Sequence, residues 1–100
     1  MKNFDSETAT KLYRAILSLK TEEECRAFFE DVCTIKEIAD MSQRLDAAML
    51  LDAGQNYQKI GDALGISTAT ISRVSRCLNY GTGGYRMVIA RLKEENGNGK

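Results

Sequence analysis

One hundred residues, 43% hydrophobic and 28% charged with zero net charge, allow a single domain with a thin core that a second chain would help to cover. There is no histidine, and Cys25, Cys33 and Cys77 form no CxxC pair, which leaves a zinc ion short of ligands. No apolar run approaches a membrane span and MKNFDSETAT lacks the apolar segment of a secretion signal, so a cytoplasmic protein with buried, reduced thiols is expected.

With no Pro or Trp and plentiful Ala, Leu, Ile, Met, Glu, Lys and Arg, the chain reads as all-α, with about six helices in one domain over 1–95. A first helix opens at Ser6 and runs to about Leu19 on the spacing of Leu12, Ile16 and Leu19, with Tyr13 and Leu17 beside them. Thr21 with Glu24 is a capping-box pattern that opens a second helix carrying Cys25, Phe28, Phe29 and Val32. Three acids at its start suit the helix dipole. Thr34 with Glu37 repeats the box and opens a long third helix through Ile38, Met41, Leu45, Ala48, Met49 and Leu51, ending at Gly54. Together 6–54 carry more apolar side chains than one small helical layer hides, and Phe28 and Phe29, being adjacent, cannot share a face. They are read as dimerisation helices of a homodimer; a compact monomer enclosing both rings is the alternative.

Residues 56–78 fit a helix-turn-helix, centred on YQKIGDALGISTATISRVSR (57–76). Gly65 supplies the positive-φ residue of a tight turn, and Gly61 lets two backbones approach. Ile60, Leu64, Ile66, Ile71 and Val74 fall where crossing helices bury apolar groups against each other. Ser67 or Thr68 caps the second helix, and Thr68, Ala69, Ser72, Arg73 and Arg76 are left on the solvent side. Small and hydroxyl side chains at a helix N-terminus suit base edges, and the arginines beyond them suit phosphate. Lys59 completes the basic candidates of this stretch. Charge agrees: residues 1–54 hold seven Lys/Arg against eleven Asp/Glu, whereas 55–93 hold six against Asp62 alone.

After Leu78 a glycine-rich loop, Asn79 to Tyr85, leads into a last helix over 86–95 with Met87, Val88, Ile89 and Leu92, followed by a tail, 96–100, expected to be disordered. Free N–H groups of the Gly81–Gly84 loop could hold a phosphate, but no strand precedes it and no Lys-Ser/Thr follows, so both nucleotide fingerprints fail. A hinge or tight connector is the simpler reading.

The stretch LGISTATISR, with Leu64, Gly65, Ala69, Thr70, Ile71 and Arg73, resembles the reader head of the Trp repressor family. Residues 5–93 are similar to its YerC/YecD-type branch, which shares the Gly-Thr-Gly-Gly-Tyr loop and terminal helix. The resemblance implies an intertwined all-α homodimer with two reader heads on a two-fold symmetric operator. It places Thr68, Ala69 and Ser72 at base edges and Gln58, Thr70 and Arg76 near phosphates, with Lys59 and Ser67 in the same DNA-binding set. It also implies an effector pocket built on Arg44 and Arg73, with Thr34 near the ligand's polar end. Two departures adjoin that pocket: Val74 stands in place of a glycine beside the bound indole, and Cys77 in place of a serine that helps hold the ligand's amino group. Tryptophan is therefore not the expected ligand, and another small-molecule effector or none stays open. For Arg44 a salt bridge with Asp40, four residues earlier, is the plain alternative.

The function expected is a sequence-specific DNA-binding regulator, a dimeric repressor reading a palindromic operator. The rival is a helix-turn-helix used for protein–protein contacts in transcription. Enzymatic, metal and cofactor readings have no support: no nucleophile lies at a spacing from a base, and no metal cluster or complete phosphate loop is present.

Overall fold

A computed structural model describes residues 6–98; residues 1–5 and 99–100, including the end of the expected tail, lie outside the described residues. Six helices follow one another: α1 (Glu7–Leu17), α2 (Glu22–Val32), α3 (Ile35–Asp52), α4 (Tyr57–Leu64), α5 (Thr68–Tyr80) and α6 (Gly84–Asn98). No strand occurs among the described residues. The chain divides between Ile38 and Ala39 into two compact units, so α3 begins in the first and ends in the second.

Local chemistry accounts for the helix starts of the first unit. The Ser6 side chain accepts from the Ala9 N–H at 3.1 Å and caps α1. Thr21 caps α2 through the Glu24 N–H at 3.0 Å, while the Glu24 carboxylate reaches one residue further back than a reciprocal box requires and accepts from the Lys20 N–H at 2.8 Å. At α3 the box is fully reciprocal: the Glu37 N–H donates to Thr34 Oγ1 at 3.0 Å and the Thr34 N–H to Glu37 Oε1 at 2.8 Å. The helices are well started but poorly covered. Ala9 is the one buried residue of α1, and α2 buries none. Phe28 and Phe29 are half-buried and meet edge to face, with centroids 5.8 Å apart and planes at 84°.

The second unit has a true core. Ala47 and Ala48 of α3, Ile60 of α4, Ile71, Val74 and Leu78 of α5 and Ile89 of α6 are buried, with Leu64, Ile66 and Tyr85 among the half-buried residues packed on them. The α5 positions recur at intervals of three and four, so one face of that helix is buried and the other exposed. Asn56 caps α4 through the Lys59 N–H at 2.8 Å, and Ser67 caps α5 through the Thr70 N–H at 3.2 Å, which decides between the two candidate caps. Between them Gly65 adopts φ 68°, ψ 34°, the left-handed conformation that ends α4, and its N–H donates to the Gly61 carbonyl at 2.8 Å. A Cβ at Gly61 would lie 3.2 Å from the Ile66 carbonyl oxygen, so the absence of a side chain there lets the turn fold back on α4. The last helix starts two residues before the expected Arg86 and continues past Glu95, so 96–98 are helical rather than tail.

Gly65→Ala isolates the backbone term, because a Cβ there would meet nothing within 4 Å. Thermal unfolding should show a loss of about 1–2 kcal/mol from the left-handed conformation alone. An unchanged midpoint would mean that the turn does not need this conformation.

Candidate nucleic-acid interface

The core fixes which side of α5 is available. With Ile71, Val74 and Leu78 turned inward, Thr68, Ala69, Ser72, Arg73 and Arg76 are all exposed, as expected. Ala69, Ser72, Arg73, Arg76 and Cys77 line one open depression of about 630 Å³ along this side. Small side chains lie towards the helix N-terminus and guanidinium groups further along. Gln58 and Lys59 are exposed in the first turn of α4. Ser67 and Thr70 differ from the rest of the set: Ser67 Oγ holds the cap and lies 3.1 Å from Thr70 Oγ1, and Thr70 is half-buried. Their hydroxyls are thus already engaged in starting the helix, and a phosphate would have to share them.

The residues proposed for an effector are dispersed in their roles. Arg73 and Cys77 line the depression, whereas Val74 is a core residue only 1% exposed. Arg44 is exposed on α3, does not line the depression and enters no ion pair among the described residues. The Thr34 hydroxyl is occupied in capping α3. The cysteines expected to be buried are not: Cys25 and Cys77 are exposed and Cys33 is half-buried. Cys77 is four residues after Arg73 and shares its side of α5, and Cys25 lies on a helix that buries nothing in this chain.

Charge is distributed less simply than a count suggests. Asp52, at the end of α3, accepts from Arg86 Nη1 at 2.7 Å on one oxygen and from Lys93 Nζ at 2.7 Å on the other. Arg86 Nη2 donates to Asn79 Oδ1 at 2.9 Å. Two of the six basic residues of 55–93 are therefore committed to an internal carboxylate, and Lys59, Arg73, Arg76 and Arg91 are those without an ion pair among the described residues. Nothing in the sequence signals this cluster, because Arg86 and Lys93 lie 34 and 41 residues from Asp52. Another long-range bond, from Gln43 Nε2 to the Leu64 carbonyl at 3.3 Å, ties α3 to the end of α4 and was equally invisible.

A helix held at a tight turn, with one face in the core and a small-residue and arginine face outward, is the geometry of a DNA-reading head. The Trp repressor protein family model matches residues 7–93. The chain belongs to the Trp repressor family. Within it the chain falls in the YerC-type branch: it is 55% identical over 84 residues to YerC of Bacillus subtilis (strain 168), itself uncharacterized, covering 84% of this chain and 81% of that protein. A TrpR-like protein from Eubacterium eligens ATCC 27750 superposes with a TM-score of 0.86 at 49% identity, covering 89% of this chain and 92% of that one. A Staphylococcus aureus protein provisionally named a Trp repressor gives 0.85 at 43% identity, with 89% of each chain covered. The Trp repressor family is a non-enzymatic, helix-turn-helix DNA-binding regulator fold. No described helix is long and apolar enough to cross a membrane.

The Asp52 cluster gives a pH test. Hydrogen bonding from Lys93, with the charges of Lys93 and Arg86, lowers the Asp52 pKa below the ordinary 3.8 against a smaller opposing effect of desolvation. A carboxylate with a depressed folded pKa stabilises the fold fully above its unfolded value, and that contribution is lost as pH falls through the folded value. Asp52→Asn should therefore lower the melting midpoint at pH 7 and leave a smaller difference from the parent below about pH 3. An equal difference at both pH values would show that the ionised carboxylate is not the stabilising species.

Proposed function

We propose that this chain is a cytoplasmic, sequence-specific DNA-binding regulator that acts as a dimeric repressor on a palindromic operator. The observation that carries the reading is the outer side of α5: Ala69 and Ser72 exposed near the capped N-terminus, followed by Arg73 and Arg76 with no carboxylate partner among the described residues. In this reading Thr68, Ala69 and Ser72 approach base edges in the major groove, and Gln58, Lys59, Arg73 and Arg76 approach phosphates. Ser67 and Thr70 lie beside the phosphates in this reading, and the Thr70 N–H, bonded to Ser67 Oγ, fixes the helix start there.

Two-fold symmetry enters through the first unit. Leu12, Tyr13, Ile16 and Leu17 of α1 and Val32 and Ile35 further on are all exposed in the single chain, and a unit with Ala9 alone buried among its described residues has almost no core there. A second copy of the chain is the partner that supports a palindromic target, since an isologous dimer presents two identical heads. No cofactor is required. Tryptophan is not the proposed effector, because Val74, beside the expected ring position, fills the core, and Cys77 offers a weak donor where a hydroxyl would serve. Any effector would be a different small molecule contacting Arg73 and Cys77.

Ala69→Glu tests the face directly: an acid against the groove should weaken binding to a selected DNA site by on the order of a hundredfold or more. Arg73→Ala and Arg76→Ala should each weaken binding and lower the slope of log K against log salt by about one. Full affinity in Ala69→Glu would mean that DNA is not read by this face, and a flat salt dependence of the parent would favour a protein partner over DNA.

A further inference from the structure

Arg86 belongs by sequence to the basic half of the chain, yet its half-exposed guanidinium is committed to two acceptors of the chain itself. Nη1 donates to Asp52 of α3 at 2.7 Å and Nη2 to Asn79 of α5 at 2.9 Å, so one planar group on α6 joins three helices. Both partners are held from behind. Asp52 Oδ2 is taken by Lys93 at 2.7 Å, and Asn79 Nδ2 donates to the Ser75 carbonyl at 2.9 Å and lies 3.3 Å from Ser75 Oγ, which fixes the amide so that its oxygen faces Arg86. The Asp52 side chain is only 17% exposed.

We propose that Arg86 is a positioning residue for DNA reading: by bridging Asp52 and Asn79 it sets the angle at which α5 presents Ala69 and Ser72. The proposal rests on the DNA-binding reading of that face. Its physical basis is leverage. Asn79 lies ten residues beyond Ala69 on one helix, roughly 15 Å at 1.5 Å per residue. A tilt of about 10° at the Asn79 end therefore moves Ala69 by about 2.5 Å, close to the length of a hydrogen bond and enough to lose a base contact. Apolar packing of Leu78 and Ile89 is non-directional and resists such a tilt weakly, whereas a planar fork with two bonded acceptors is directional. The other end of the motif is secured separately, by Gln43 on the Leu64 carbonyl. Lysine cannot replace the bridge, because its single ammonium lacks the planar spacing of two nitrogens.

The test uses the full chain and a DNA site first selected with the parent, measuring affinity and salt slope for Arg86→Ala, Arg86→Lys, Asn79→Ala and the double variant Arg86→Ala/Asn79→Ala, each checked for native helical content. The expected result is a loss of about tenfold in Arg86→Ala and Asn79→Ala, with no further loss in the double variant and an unchanged salt slope. Arg86→Lys should be nearly as weak as Arg86→Ala. A salt slope lower by about one with recovery in Arg86→Lys would make Arg86 a phosphate contact and overturn the proposal, as would parental affinity in a folded Arg86→Ala or Asn79→Ala. Capture of no DNA site by the parent would instead remove the reading beneath it, and the proposal with it.

Discussion

The crossing of α4 and α5 is the constraint on which the rest of the structure depends. Ile60, Ile71 and Val74 are essentially fully buried at that crossing, and the helices reach it because Gly65 turns the chain in a left-handed conformation while Gly61 clears the way for Ile66. Burying the inner side of α5 determines its outer side. A helix with residues 71, 74 and 78 in a core must present 69, 72, 73 and 76 to solvent, so the packing of the motif and the composition of its candidate reading face are one choice. The apolar terms hold α5 in place, and the polar bonds of Gln43 and Arg86 tie the turn and the far end of α5 to neighbouring helices.

The first unit shows the opposite balance. Its helices are capped with care, through Ser6, Thr21 and the reciprocal Thr34–Glu37 pair, yet among its described residues only Ala9 is buried. Caps contribute on the order of 1 kcal/mol each and cannot substitute for a core. Amphipathic helices of this kind gain most of their stability by covering their apolar side, which is why the proposed function assigns that side to a second copy of the chain.

What was legible in the sequence was what short-range chemistry controls. Cap residues, the left-handed glycine and the three-and-four spacing of Ile71, Val74 and Leu78 are local signals, and they placed all six helices and the outer face of α5. Helix ends were less legible: α6 runs to Asn98 because nothing in Glu94–Asn98 forbids helix as proline would. The ion pairs were not legible at all. A count of charges over 55–93 treats Arg86 and Lys93 as free cations, and only the fold brings Asp52 to them. Cys77 failed for a related reason: a thiol is small and apolar enough to be read as core, but its position four residues after Arg73 puts it on the exposed side. Family resemblance supplied the effector positions, and there too the folded chain reassigns roles, with Val74 in the core and the Thr34 hydroxyl in a cap.

The most direct test of the central claim, that the outer side of α5 reads a specific DNA sequence, is selection of genomic DNA. The purified protein is incubated with fragmented DNA from its own organism at moderate salt, with and without small metabolites, and what is retained is sequenced. The account predicts an enriched inverted repeat whose half-sites are centred about one helical turn apart, roughly 34–36 Å. Retention without any enriched sequence, in both conditions, would contradict it.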